Sequence, residues 1–168
     1  MDNQAADRTD SIRKLGEMIK DIKFAMLTTA EPDGTLRSRP MATQQTEFDG
    51  ELWFFTAAST PKVDEIEQDH HVNLSYAAPD KNHYVSVSGK ARLVRDRRKI
   101  EELWTPAYKA WFPKGLEDPD VALLNVRAEQ AEYWDSSSSA VVHLVGFVKA
   151  VATGEPYEAG ENKKVDLR

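Results

Sequence analysis

Apolar and polar positions along this chain repeat with two different periods, and the switches between them mark out its elements. Residues 1–10 read as a loose polar lead-in. From Ser11 onward Ile12, Leu15, Ile19 and Ile22 recur at helical spacing while Arg13, Lys14, Glu17 and Lys20 fall elsewhere, which predicts a helix packed on a sheet by one stripe. Period two then takes over. Phe24 to Ala30 reads as a strand, Pro32-Asp33-Gly34 as a turn, and Thr35 to Phe48 as a second strand. Asp49-Gly50 is a strong two-residue hairpin signal leading into a third strand from Glu51. The three strands then form an antiparallel meander, with Met41 and Ala42 across from Ala58 and Ala57 and Arg39 near Thr60.

The third strand is the pivot of the chain. Leu52, Phe54 and Thr56 point to one side and Trp53, Phe55 and Ala57 to the other, so both faces are largely apolar and the strand should be covered on both. Thr60 at the N-cap and Pro61 at the first helical position open a helix running to about Asp69. Val72, Leu74 and Tyr76 alternate on a fourth strand, Pro79 to Asn82 turns, and His83 to Val94 forms a fifth. Gly89 interrupts that strand where a barrel would bend. Asp96 opens a helix carrying Ile100, Leu103 and Trp104, and Thr105-Pro106 restarts helical structure to about Trp111. Val121 to Arg127 and Ala131 to Asp135 read as two further strands. Ser136 to Ser139 caps a helix from Ala140 to about Ala152, although VVHLVGFV also suits a strand. Residues 155–168 read as a loosely held polar tail. The pattern predicts a mainly β (α+β) domain over residues 11–154, a small closed or half-closed barrel with flanking helices.

Composition narrows the chemistry. With no cysteine, disulfides, thiolate metal sites and cysteine nucleophiles are excluded, and redox chemistry must come from a bound cofactor. A net charge of −6 argues against nucleic acid as a partner. No apolar run approaches the roughly 20 residues that span a bilayer, and MDNQAADRTDS has no signal-peptide character, so no membrane association and a cytoplasmic location are expected.

The start of the second helix offers two hydroxyls, Thr56 and Thr60, an ammonium, Lys62, and unpaired backbone amides, the elements of a phosphate cradle. The plainer reading is an ordinary capped helix. Arg37 and Arg39 share one face of the second strand, where Pro40 marks an edge or a break in the ladder, and guanidinium suits phosphate. The expected strand pairing brings Arg39 to the helix start and favours an anion site there. Trp111-Phe112-Pro113 and Tyr133-Trp134-Asp135 are aromatic clusters, either core or a wall for a planar ligand. His70 and His71 are adjacent and lack metal-ligand spacing, and His83 and His143 read as structural. No metal site is expected, and no side chain is singled out as catalytic.

In order, SRPM, FFTAASTPK, YVSVSGKARLV, KAWFPKGLEDPD and AEYWDSSS resemble the general-stress-protein branch of the FMN-binding split-barrel proteins, relatives of pyridoxamine 5′-phosphate oxidase. The resemblance covers about Ser11 to Gly154. It implies a six-stranded antiparallel split β-barrel and a homodimer with flavin (FMN, or FAD as the longer form) in clefts between subunits. By position, Arg39 matches the family's phosphate arginine, while Thr56, Thr60 and Lys62 match threonine, serine and lysine of its T-x-x-x-S-R-K segment. Pro61 replaces the middle arginine, leaving Arg37 as a substitute contact. Ser38, Pro40 and Met41 would lie along the ring beside Phe55, with Trp134 near it and Trp111 reaching in from the partner.

The resemblance further implies a flavin-dependent oxidoreductase using a small-molecule electron donor and acceptor. A non-catalytic protein that stores or senses flavin is the alternative, and a scaffold for deazaflavin, haem or a protein is a third. The tail EPYEAGENKKVDLR lacks the arginine-rich segment of true pyridoxamine 5′-phosphate oxidases, so that reaction is not expected.

Overall fold

The computed structural model describes residues 2–136, 140–157 and 160–168. Its centre is one curled antiparallel sheet. Strands β1 (Phe24–Ala30), β2 (Leu36–Ala42), β3 (Glu51–Ala57), β4 (His71–Ala78), β5 (His83–Val94) and β6 (Val121–Ser136) run in the order β2-β1-β4-β5-β6-β3, and β7 (Gly160–Asp166) pairs with β6. The first six form the expected split barrel. Helix α1 (Asp2–Ile19) and α2 (Pro61–Gln68) pack on the barrel, while α3 (Arg97–Leu103) and the 3-10 turn Pro106–Ala110 build a second layer outside β3.

Several sequence expectations change, although the helix expected from Ala140 forms. The polar lead-in is helical from Asp2, and Arg8 donates to the Leu167 carbonyl at 3.1–3.2 Å, tying α1 to the end of the chain. The two expected strands at residues 121–135 are one strand of 16 residues. The polar tail supplies β7, with Val165 and Leu167 buried. Ser136 ends β6, and Ser137–Ser139 lie outside the described residues; α4 (Ala140–Thr153) is a helix, not a strand. Its outer side chains Leu144, Val145, Phe147, Val148 and Val151 are exposed.

One further correction matters most. Asp49-Gly50 does turn the chain, with Gly50 at φ +107° and the Asp49 carboxylate accepting from the Glu51 amide at 3.0 Å. It does not make a hairpin. β2 pairs with β1 alone, with Pro40 opposite Met26, and β3 pairs with β6, Thr56 opposite Ala122. Proline has no N–H to donate, which suits β2 to an edge. Residues 43–50 instead carry the chain across the open end of the barrel, anchored where Thr43 bonds the Lys23 and Ile22 carbonyls. Curvature then brings the two terminal strands of the sheet, β2 and β3, to face each other across the split.

The two apolar faces of β3 find two separate partners. Phe54 enters the barrel core with Leu27, Leu74, Val87 and Leu124, and Thr56 is buried on the same side. Trp53, Phe55 and Ala57 meet Ile100, Leu103, Trp104, Tyr108 and Phe112 on the other. Full burial of an aromatic such as Phe54 contributes roughly 1.5–3 kcal/mol, so the pivot strand is clamped from both sides. At Gly89 the ladder shifts register, and a Cβ there would come within 2.2 Å of the Arg127 carbonyl oxygen, so the barrel corner requires glycine.

The outward face of β1, β2, β4 and β5 has an unusual composition. Register puts Phe24, Met26, Thr28, Ser38, Pro40, Ala42, Asn73, Ser75, Ala77, Tyr84, Ser86 and Ser88 on it, an uncharged stretch bordered by Lys90 opposite His71 and by Glu132 opposite Ser86. Trp134 continues it beside Tyr84.

Candidate functional site

Between the ends of β2 and β3 lies a cleft of about 350 Å³, within the size range of small-molecule sites. One wall is aromatic. Phe55 and Tyr108 meet at a 40° tilt with 4.4 Å between centroids, Trp104 meets Phe55 edge-on at 5.5 Å, and Trp111 stands 6.3 Å from Tyr108. These rings converge because the 3-10 turn after Thr105-Pro106 lies against the outer face of β3. Trp111 is 59% exposed at the rim, an apolar ring left uncovered. The opposite wall is Phe24 with Pro40, Met41 and Ala42. The Tyr108 hydroxyl accepts from Gln44, and burial pushes its pKa up while that bond pulls it down. Two larger hollows, about 400 and 440 Å³, lie on the outer sheet face among Thr28, Asn73, Ser88 and Gln130, and neither has an aromatic wall.

The polar end of the cleft holds Thr56, Thr60 and Lys62. Lys62 is half-buried, and its pKa is lowered first by burial and then by the Arg39 charge nearby. The amide cradle expected at the start of α2 is largely used up. Ala58 N–H donates to the Asp120 carbonyl, Ser59 N–H to the Asp120 carboxylate at 2.9 Å, Thr60 N–H to Ala57 and Val63 N–H to Thr60. Thr60 sits at the N-cap, yet its hydroxyl donates back to the Ala57 carbonyl at 3.0 Å instead of capping.

Arg39 is a near neighbour of Lys62 without lining the cleft. On β2 it points to the side opposite Ser38 and Pro40, toward α2. There Nη2 reaches both Glu65 oxygens at 2.8 Å and Nη1 reaches the Thr29 hydroxyl at 2.7 Å, while Thr29 donates to Glu65 at 2.6 Å. Burial raises the Glu65 pKa, but the bonds from Thr29 and Arg39 and the charges of Arg39 and Arg37 outweigh it, and the net shift is downward. This carboxylate stays ionised in the interior.

Of the expected site residues, the cleft gathers Pro40, Met41, Phe55, Thr56, Thr60, Lys62 and Trp111. Trp111 lines the cleft of its own chain. Arg37 pairs with Glu31 at 2.6 Å near the β1–β2 turn and does not line the cleft. Ser38 bonds Thr28 at 2.7 Å on the outer face, and Trp134 lies opposite Tyr84, away from this chain's cleft. Sequence reading missed Phe24, Ala42, Ala57, Tyr108, Phe112 and Glu65. The helical spacing of Tyr108 and Phe112 was a legible signal for a shared face; nothing local marked Glu65, whose partners lie on two other elements. Among the described residues no His, Asp and Glu group is arranged to hold a metal ion, and no helix is long and apolar enough to cross a membrane.

Residues 10–158 match the model of the family described as "Pyridoxamine 5′-phosphate oxidase like". The chain is similar to Protein bli-3 of Neurospora crassa, 32% identical over 164 residues that cover 92% of this chain and 78% of the relative. Among solved structures it resembles a general stress protein 26 homologue from Jannaschia sp. CCS1, with 26% identity, TM-score 0.73 and coverage of 94% and 99% of the two chains. It also resembles the general stress FMN/FAD binding protein of Xanthomonas citri, with 28% identity, TM-score 0.68 and coverage of 78% and 92%.

Proposed function

Since this chain belongs to the pyridoxamine 5′-phosphate oxidase like family, we propose that it binds FMN in the cleft between β2 and β3 and works as a flavin-dependent oxidoreductase on a small electron donor. One observation carries this reading: an aromatic-walled crevice of about 350 Å³ ends at the ammonium of Lys62. A flat ring bearing an anionic tail matches that combination. FMN is favoured over FAD because the cleft has one aromatic wall and one ammonium, a match for a single ring system and a single phosphate.

Phe55 and Trp111 would flank the ring and keep water from it, with Pro40 and Met41 on the far wall. Lys62 would hold the phosphate, and the hydroxyls of Thr56 and Thr60 would add to it by turning from the Ala57 carbonyl, to which both donate. Tyr108, fixed by Gln44, would limit the depth to which the ring enters. The bound flavin supplies the electron transfer, for which the cleft offers no protein redox group. The exposed rim at Trp111 leaves room for a second small molecule to approach.

The working form in this reading is a homodimer. Its support is the uncharged stretch of the outer face running from the cleft edge at Phe24 and Ala42 through Met26 to Tyr84 and Trp134, with Lys90, His71 and Glu132 at its border, since buried interface cores are depleted of charge and their rims are polar. A second copy there would cover the cleft edge at Phe24 and Ala42 and leave the Trp111 side open, and its Trp134 is the candidate for the ring contact that this chain's own Trp134 does not make.

The absorption spectrum of freshly purified protein tests the first claim, with bound flavin expected to colour it yellow. Anaerobic bleaching by NADH or NADPH tests the second. Reduction no faster than that of free FMN would overturn the oxidoreductase and leave flavin storage or sensing. A colourless protein that takes up no FMN at micromolar concentration would overturn both. Met26→Glu should convert a dimeric mass to a monomeric one by light scattering.

A further inference from the structure

We infer that Glu65 is a standing competitor for the phosphate of the bound flavin, holding Arg39 back and so setting how strongly the site prefers phosphorylated over unphosphorylated flavin. This rests on the flavin reading above and assigns a residue that does not itself line the cleft.

The argument begins with what Arg39 already has. Its guanidinium spans both Glu65 oxygens at 2.8 Å and the Thr29 hydroxyl at 2.7 Å, and the side chains are only 20% and 8% exposed. An anion arriving beside Lys62 gains little from redirecting Arg39, because Glu65 would then be left buried and unpaired. Removing one partner of such a pair is strongly unfavourable. The phosphate therefore meets the Arg39–Glu65 pair as a unit.

Charge arithmetic leads to the same place. Arg39 and Lys62 contribute two positive charges and Glu65 one negative, so the corner offers one net positive charge rather than two. Arg37 adds little, being 56% exposed and paired with Glu31. Asp120, just before β6 and bonded to Ser59 in the turn before α2, further reduces the attraction. Glu65 is thus a positioning residue. It acts through Arg39 on the charged tail and leaves the ring contacts of Phe55 and Trp111 alone.

The experiment is a paired titration of FMN and riboflavin, followed by flavin fluorescence, with wild type, Glu65→Gln, Arg39→Gln and the double variant. Glutamine keeps an acceptor for Thr29 while removing the charge. In Glu65→Gln, FMN should bind about tenfold tighter with riboflavin within about twofold of wild type, as expected for one charge removed near an anion. Arg39→Gln leaves Glu65 unpaired and should weaken FMN, while the double variant, again with one net positive charge, should return FMN affinity toward wild type. Should Glu65→Gln fail to fold, the double variant decides. FMN binding as weak in the double variant as in Arg39→Gln would mean that Arg39 holds the phosphate itself, overturning the inference. Equal shifts for both flavins in Glu65→Gln would overturn it too, as a purely structural effect. Failure of wild type to bind either flavin would overturn the flavin reading instead.

Discussion

At the aromatic end of the cleft, Phe55, Tyr108 and Trp111 brace one another through ring contacts and leave an apolar face toward the opening. At the charged end, Arg39, Glu65 and Thr29 satisfy one another almost completely, and Lys62 is the cation left on the cleft wall. The first end is ready for a ligand because stacking leaves ring faces unused. The second is closed because a buried ion must be paired on the spot. Hydrophobic surface can wait for a ligand; buried charge cannot.

The largest test of that contrast is stability. Glu65→Ala strands Arg39 and should lower unfolding free energy by about 3 kcal/mol in urea denaturation, the usual scale for breaking a buried pair. Loss under about 1 kcal/mol would show that the corner is solvated after all. Lys62→Met should come next, weakening FMN by about ten- to a hundred-fold, or roughly 1.5–3 kcal/mol, with riboflavin nearly unchanged. Equal weakening of both flavins would move the phosphate elsewhere. Trp111→Ala should weaken both flavins alike by about fivefold, in keeping with roughly 1 kcal/mol for an aromatic contact. An effect on FMN alone would break the division between ring end and charged end.

The smallest expected effect is on pH dependence. The folded-state pKa of Glu65 is depressed, so its contribution to stability is present above its ordinary value of 4.5 and is lost as pH falls through the lower folded value. Acid denaturation of Glu65→Gln should accordingly show a shallower fall below pH 4.5 than wild type. Identical acid limbs would mean that Glu65 is not held ionised by Arg39.

How much of this could be read along the chain depends on how local each cause is. The bounds of β1 and β5, the Thr60-Pro61 helix start and the two-sided cover of β3 all follow from alternation, turn residues and caps within a few positions. The Asp49-Gly50 signal was equally local and misled. It marks a turn, but which strand β3 pairs with depends on β6, some 70 residues on. The expectation that β2 and β3 approach each other was sound, though curvature and not a hairpin brings them together. β7 was missed because GENKKVD has few apolar residues, and it is held by the free edge of β6 and by burial of Val165.

By itself, then, the sequence determined the alphabet of the site: a phosphate-seeking lysine, aromatic rings and a proline at an edge, each legible because its chemistry is carried by its own side chain. Only the tertiary structure decided which of these face the same space. It turned Arg39 away toward Glu65, placed Trp111 on the cleft wall and left Trp134 on the outer face of the sheet. The reason is physical: the parity of a strand and the curl of a sheet fix the direction of every side chain, and both depend on partners distant in the chain.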